Sequence, residues 1–185
     1  MNPPEPRYTA FAGHRHIACG PLEALLTQLK RRLDEGGDHS FLIFEDQTGR
    51  PIDFDFRGSL DEVLARAAPV APRPGPGRPK LGVVSREVSL LPRHWDWLEQ
   101  QPNGISAALR RLADEARKRE PDKESARLAR EAAGRFMWAI AGDLPGFEEA
   151  SRALFAGNPQ RLTDLTRQWP GDIRSYLLRL AGNAP

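Results

Sequence analysis

The sequence predicts an α+β protein in four parts: a small module at residues 1–68, a Pro/Gly linker at 69–81, a strand with two helices at 82–119, and a helical region at 120–185. Three patterns predict this division. Short runs near the N-terminus alternate apolar and polar residues, which is the period of a strand. From residue 92 onward, apolar residues recur every three or four positions, which is the period of an amphipathic helix. Between these regions, a run rich in Pro and Gly favours neither helix nor sheet.

The N-terminal module is predicted to have the element order ββαββα. Residues 8–20, YTAFAGHRHIACG, alternate around Gly13 and predict a β-hairpin. Pro21 suits the first turn of a helix whose leucines follow at helical spacing. Residues 40–56, SFLIFEDQTGRPIDFDF, predict two strands joined by a turn, and Ser59 is expected to cap a second, short helix.

The last strand of this module alternates clearly between two residue types. Ile52, Phe54 and Phe56 are apolar, and Asp53 and Asp55 lie between them. One face is therefore expected to be buried and the other wet. The paired carboxylates need no catalytic explanation, because a wet strand face accounts for them. We expect a two-layer core of sheet and helix.

A strand and two helices are predicted after the linker. In VVSREVSLL, apolar residues alternate with polar ones, and Pro92 ends the strand and opens a helix. The turn PNG at 102–104 separates it from a second helix, which Ser106 is expected to cap. Further helices are predicted in ESARLAREAAGRFMWAIA, PGFEEASRALFAG, NPQRLTDLTRQW and GDIRSYLLRLAG.

Positive charge is concentrated in the middle of the chain. Residues 1–72 hold eight Lys and Arg against eleven Asp and Glu, a net charge of −3. Residues 73–119 hold ten against five, a net charge of +5, and residues 120–185 hold nine of each. Local charge decides whether a polyanion is attracted, so the middle segment is the candidate for nucleic-acid binding. The alternative is that its arginines simply lie on helix faces exposed to water.

Residues 84–117 resemble the ribbon-helix-helix family of bacterial DNA-binding proteins. The matching pieces are the alternating strand at 84–91, the Pro92 that opens a helix, and the Gly-x-Ser turn that opens the next. In that family, strands of two subunits pair into an antiparallel ribbon that enters the major groove, and the second helix start holds a phosphate through backbone N–H groups. The resemblance implies those groups belong here to Ser106 and Ala107.

The strand departs from the usual composition of that family. Its outward residues would be Ser85, Glu87 and Ser89, where basic or amide side chains are common, and Arg86 falls on the nominal core face. Glu87 can accept from a cytosine amino group but repels phosphate. The alternative is an amphipathic strand and two helices that pack on the C-terminal helices.

The basic linker also carries a motif. GRPK at 77–80 is similar to the core of an AT-hook, in which Gly-Arg-Pro lies extended in the narrow minor groove of A·T-rich DNA. The alternative is a plain Pro/Gly linker. The residues expected at DNA are Arg73, Arg78, Lys80, Ser85, Arg86, Glu87, Ser89, Ser106 and Ala107.

The sequence shows no enzyme signature, and we expect no catalytic residue, metal or cofactor. His14 and His16 are expected to share a strand face, where Cys19 or His39 could complete a set of metal ligands. Surface histidines beside a small cysteine are the favoured interpretation. The single cysteine excludes an internal disulfide, and from the apolar pattern we expect neither a membrane span nor a leader sequence. We therefore expect a cytoplasmic protein with no membrane partner.

Nearly the whole chain resembles the bacterial family DUF2239, catalogued only as a domain of unknown function. The stretches that carry the resemblance are TAFAGHRHIACG, residues 77–118, and GDIRSYLLRLAG. The resemblance implies a bacterial cytosolic protein and supplies no activity, so function must come from the residues. The leading hypothesis is a dimeric DNA-binding regulator. The alternatives are a protein-interaction module that uses the N-terminal unit or exposed tryptophans, and an unrecognised enzyme.

A dimer is expected because a lone strand leaves its backbone N–H and C=O groups unpaired. If the strand at 84–91 does not join the N-terminal sheet, its own copy is the nearest partner. The predicted two-fold ribbon would bury Val84, Val88, Leu90 and Trp95.

Overall fold

The computed structural model describes residues 5–37, 40–68, 86–119 and 121–182. Its strands and helices follow in this order: β1 (Arg7–Ala12), β2 (Arg15–Pro21), α1 (Leu22–Asp34), β3 (Leu42–Glu45), β4 (Pro51–Ile52), α2 (Leu60–Ala67), α3 (Pro92–Glu99), α4 (Ile105–Arg119), α5 (Pro121–Ile140), α6 (Phe147–Phe155), α7 (Pro159–Leu165) and α8 (Gly171–Leu180). The α+β class and the order ββαββα of the N-terminal module are confirmed. In the described ranges, no helix is long and apolar enough to cross a membrane.

The chain divides into two compact units. The first combines residues 1–68 with residues 125–185, and the second comprises residues 69–124. The N-terminal module and the C-terminal helices therefore share one unit, in which they build a common core.

The first unit is built on a four-stranded antiparallel sheet with the order β2-β1-β3-β4. Strands β1 and β2 form the predicted hairpin, whose turn contains Gly13 in the left-handed region at φ 55°. The register of this pair shifts between Ala10 and Phe11, which marks a bulge. In the strand order given above, β2 forms one edge of the sheet.

Both faces of this sheet are buried. Phe11 and Phe44 belong to a core that they share with α5, α6, α7 and α8. Ala10 and Ile43 belong to a second core, formed with Leu25 and other residues of α1. The first unit therefore has three layers, helix, sheet and helices, where two were expected. The cause is the C-terminal region, whose apolar stripes cover the second face of the sheet.

Local signals set most element boundaries as predicted. Ser59 caps α2 in a full capping box: its hydroxyl accepts from the Glu62 N–H, and the Glu62 carboxylate accepts from the Ser59 N–H. Pro92 occupies the first turn of α3. The predicted cap at Ser106 is wrong by two residues, because α4 already begins at Ile105 and the Gly104 carbonyl accepts its first hydrogen bonds.

The fourth strand is shorter than expected. Strand β4 ends at Ile52, although the alternation continues beyond it: Phe54 and Phe56 are half-buried and the intervening aspartates are exposed. The alternation therefore predicts correctly which side chains are more buried, although the pairing of β4 with β3 ends at Ile52.

The described part of the single chain contains no strand at the position predicted for 84–91. Residues 86–91 have no regular secondary structure, and residues 84 and 85 lie outside the described part of the chain. Alternation alone cannot make a strand, because a strand exists only where a neighbouring backbone accepts and donates its hydrogen bonds. The four-stranded sheet does not include this stretch.

Candidate nucleic-acid interface

The described core of the second unit is a hairpin of two helices, α3 and α4. Leu91 precedes α3 in an extended conformation, as a residue before proline must. The connecting turn uses two residues in the left-handed region, Asn103 at φ 66° and Gly104 at φ 79°. Asn and Gly tolerate this conformation best, so the PNG turn predicted from the sequence has a direct physical basis.

This hairpin buries little of its own apolar surface. In the described residues of the second unit, only Leu98 and Ala108 are buried. Large apolar side chains remain exposed: Val88 at 53%, Leu91 at 51%, Trp97 at 47% and Leu112 at 39%. We call these four residues the apolar face. Exposed apolar side chains on so small a unit make it a candidate for contact with another molecule.

Basic side chains are concentrated on α4, the helix that carries Leu112 of the apolar face. This helix holds five Lys and Arg against two Asp and Glu, a net charge of +3. Arg111 donates to Gln101 at 3.1 Å and lies 3.8 Å from Glu115, which also pairs with Arg119 at 3.9 Å. The last turn collects Arg117, Lys118 and Arg119, where the helix dipole favours cations. These charges contribute to the net positive charge of the middle segment, but none of the three residues was predicted as a site.

The structure gives a location to five of the nine residues expected at DNA. Arg86, Glu87 and Ser89 are exposed and precede α3. Ser106 and Ala107 lie in the first turn of α4, where the Ala107 N–H already donates to the Gly104 carbonyl at 3.1 Å. The remaining four, Arg73, Arg78, Lys80 and Ser85, lie outside the described residues.

The described residues of the N-terminal module do not bring the candidate metal ligands together. Within the described residues, no group of three or more His, Cys, Asp and Glu side chains is placed to hold a metal ion. His16 packs edge-on against Phe11, with ring centroids 5.8 Å apart, and His39 lies outside the described residues. Hydrogen bonds from Arg57 hold the pKa of Asp55 well below its usual range, so this carboxylate is an ion-pair partner.

Comparison of the chain with known proteins identifies its family but no activity. No curated protein and no solved structure matches the chain significantly. A family model described as an uncharacterized protein conserved in bacteria matches residues 7–181, almost the full length. The chain therefore belongs to the bacterial family DUF2239.

Proposed function

We propose that the second unit binds duplex DNA and that two copies of the chain bind together. The observation that carries the proposal is the pairing of two features in residues 73–119: a net charge of +5 and an apolar face that the unit leaves exposed. Phosphate attraction supplies most of the affinity of a DNA-binding protein, and an exposed apolar face supplies a dimer contact.

The dimer contact would use the apolar face. Val88 and Leu91 are each about half exposed, and both precede α3. In a two-fold pair, residues 84–91 of two copies would pair as an antiparallel ribbon, with backbone hydrogen bonds between the two chains. The same pairing would turn the polar side chains of this segment toward the major groove.

The basic arm would extend the contact. Arg73, Arg78 and Lys80 precede this segment by a few residues, and an extended chain spans roughly 3.3 Å per residue. Residues 73–80 would then cover about 26 Å, enough to pass from one groove to the next. Arg78 would enter an A·T-rich minor groove, where the potential is most negative. A DNA-binding role also implies a cytoplasmic location.

The arm is tested by removing two of its charges. We would combine Arg78→Ala and Lys80→Ala in one chain. The affinity of this variant for A·T-rich and for G·C-rich duplexes would be compared with that of wild type at two salt concentrations. The proposal predicts weaker binding to both duplexes and a salt slope smaller by about one per lost phosphate contact. The matched control combines Arg161→Ala with Arg167→Ala, which removes two exposed positive charges from the first unit. Equal affinity of the arm variant and wild type in all conditions would contradict a role of the arm.

A protein-interaction module is the second candidate. The exposed indole of Trp97 favours it, because tryptophan is enriched where proteins bind one another. Trp97→Ala would then abolish partner binding, and removal of the arm charges would leave it intact. The DNA proposal predicts instead that removal of the arm charges weakens duplex binding more than Trp97→Ala does.

A further inference from the structure

A network of polar groups joins the sheet of the first unit to its last helix. Asp46 follows β3 and is only 11% exposed. Its Oδ1 accepts from the Thr9 hydroxyl at 2.7 Å and from the Tyr176 hydroxyl at 2.9 Å. Its Oδ2 accepts from Arg179 Nη1 at 3.1 Å, and Arg179 Nη2 donates to Thr9 Oγ1 at 3.3 Å. The Arg179 guanidinium also lies 4.6 Å from the Tyr176 ring centroid, so it is held from three sides.

A cavity of ≈ 420 Å³ opens beside this network, between β2 and α8. Its lining comes from two elements: His16, Cys19, Asp172, Ser175, Tyr176 and Arg179. The four residues from α8 stand at positions i, i+3, i+4 and i+7 and therefore form one stripe along the helix. The opposite stripe, which includes Ile173 and Leu177, is buried in the core. Helix α8 is thus fixed by its apolar side, and its polar side is presented to the cavity.

The two ends of the stripe carry opposite charges with spare hydrogen-bonding capacity. Arg179 is 48% exposed and uses two of the five N–H donors of a guanidinium in the hydrogen bonds described above. Asp172 Oδ2 accepts from the His16 backbone N–H at 2.8 Å, which leaves Oδ1 for another donor. Seven residues separate the two ends, about 10.5 Å along the helix axis.

We propose that this cavity binds a small carboxylic acid that also carries an amino or hydroxyl group. The planar guanidinium of Arg179 matches a carboxylate in geometry and charge. Asp172 accepts a hydrogen bond from the amino or hydroxyl group at the other end, and Ser175 lies between the two. The Tyr176 ring and Cys19 contact the carbon chain. Asp172 disfavours a phosphate dianion, because it adds a negative charge to the same cavity.

The single cysteine of the chain makes the cavity accessible to a direct test. Cys19 is exposed and lines the cavity, so alkylation by iodoacetamide reports on this site alone. In that reaction the thiolate sulfur attacks the methylene carbon, the S–C bond forms as the C–I bond breaks, iodide leaves, and the thiol proton passes to solvent. We would measure the alkylation rate of the full chain with ε-aminocaproate, caproate and hexylamine as probes.

The proposal predicts that ε-aminocaproate slows alkylation at the lowest concentration, that caproate needs more, and that hexylamine has no effect. At ten times its Kd, a probe that covers Cys19 lowers the rate about tenfold. Arg179→Gln should abolish protection by both acids, whereas the control Arg167→Gln, which removes the same charge from an exposed site, should leave it unchanged. Asp172→Asn should remove only the preference for ε-aminocaproate over caproate, which keeps the test valid even if the Arg179 variant fails to fold. Absence of protection by either acid in wild type, or a preference for ε-aminocaproate over caproate that is as large in Asp172→Asn as in wild type, would overturn the proposal.

Discussion

The Tyr176 hydroxyl donates a hydrogen bond of 2.9 Å to Asp46, a residue 130 positions earlier in the chain. This bond connects the last helix, α8, to the segment that follows β3. Residues far apart in the sequence therefore complete one unit. Helix α8 provides a phenol and a guanidinium, and both donate hydrogen bonds to the Asp46 carboxylate that follows β3.

Replacement of Tyr176 by Phe should destabilise the first unit. The variant keeps the ring in the core but leaves Asp46 with one donor fewer at a site that is almost buried. We expect a loss of about 1 to 2 kcal/mol in the free energy of unfolding at neutral pH. Urea denaturation followed by circular dichroism measures it. A loss below a few tenths of a kcal/mol would mean that the bond contributes little.

The same residue should govern alkaline stability. Burial raises the pKa of the Tyr176 phenol, and the Asp46 carboxylate raises it further. In the unfolded chain the phenol loses its proton near pH 10, so between that pH and the raised pKa only the folded state keeps it. The stability from this group is therefore present in full below about pH 10 and declines as the pH rises. Tyr176→Phe should show a shallower decline above about pH 10 than wild type. Parallel declines in the two proteins would contradict this assignment.

Gly49 should tolerate no side chain. It lies in the left-handed region at φ 64°, and a Cβ built there would come within 2.0 Å of the Ala132 carbonyl oxygen in α5. Gly49→Ala should therefore cost about 2 to 4 kcal/mol, since backbone must move. Gly13→Ala is the matched control: its φ of 55° is similar, but no atom lies within 4 Å of the added carbon. It should cost only about 1 kcal/mol, and equal losses would disprove the close approach.

The two serines near helix starts should respond differently. Ser59 caps α2 with its hydroxyl, whereas Ser106 lies inside the first turn of α4. Ser59→Ala should cost about 1 kcal/mol in stability, and Ser106→Ala should change it by less than about 0.5 kcal/mol. Thermal unfolding of the two variants beside wild type gives the comparison. A larger loss for Ser106→Ala would place the cap of α4 where the sequence alone had predicted it.

The apolar face should mediate self-association. Val88→Asp introduces a charge into the proposed contact, so the variant should scatter light as a single chain of 20.6 kDa where wild type scatters as two. Leu128→Asp is the control, because Leu128 is about equally exposed but lies on α5 in the first unit. A wild-type monomer at tens of micromolar, or loss of the dimer in the control variant, would contradict the assignment of the contact.

Elements with a local cause were predictable from the sequence. The hairpin at Gly13, the capping box at Ser59 and the proline start of α3 each depend on residues within a few positions of one another. The segment 86–91 has no strand in the single chain for the complementary reason. Its alternation describes which side chains would share a face, but a ladder needs a second backbone, and a single sequence does not state where that backbone comes from.

The polar cavity was missed because its parts are distant in sequence. The stripe of α8 has helical spacing in the printed sequence, Asp172, Ser175, Tyr176 and Arg179, but it reads as an ordinary wet helix face. Only the fold brings it against Cys19 of β2 and against Asp46. The cavity therefore depends on contacts between residues far apart in the sequence, which the spacing of residues along one helix cannot predict.

The central claim, that this chain binds duplex DNA through a basic and dimeric second unit, is tested most directly by fluorescence anisotropy of a labelled duplex over a salt series. The account predicts saturable binding at low salt. For about five neutralised phosphates, log affinity should fall against log salt with a slope of about −4 to −5. Absence of binding at low salt, or an affinity that does not change with salt, would contradict it.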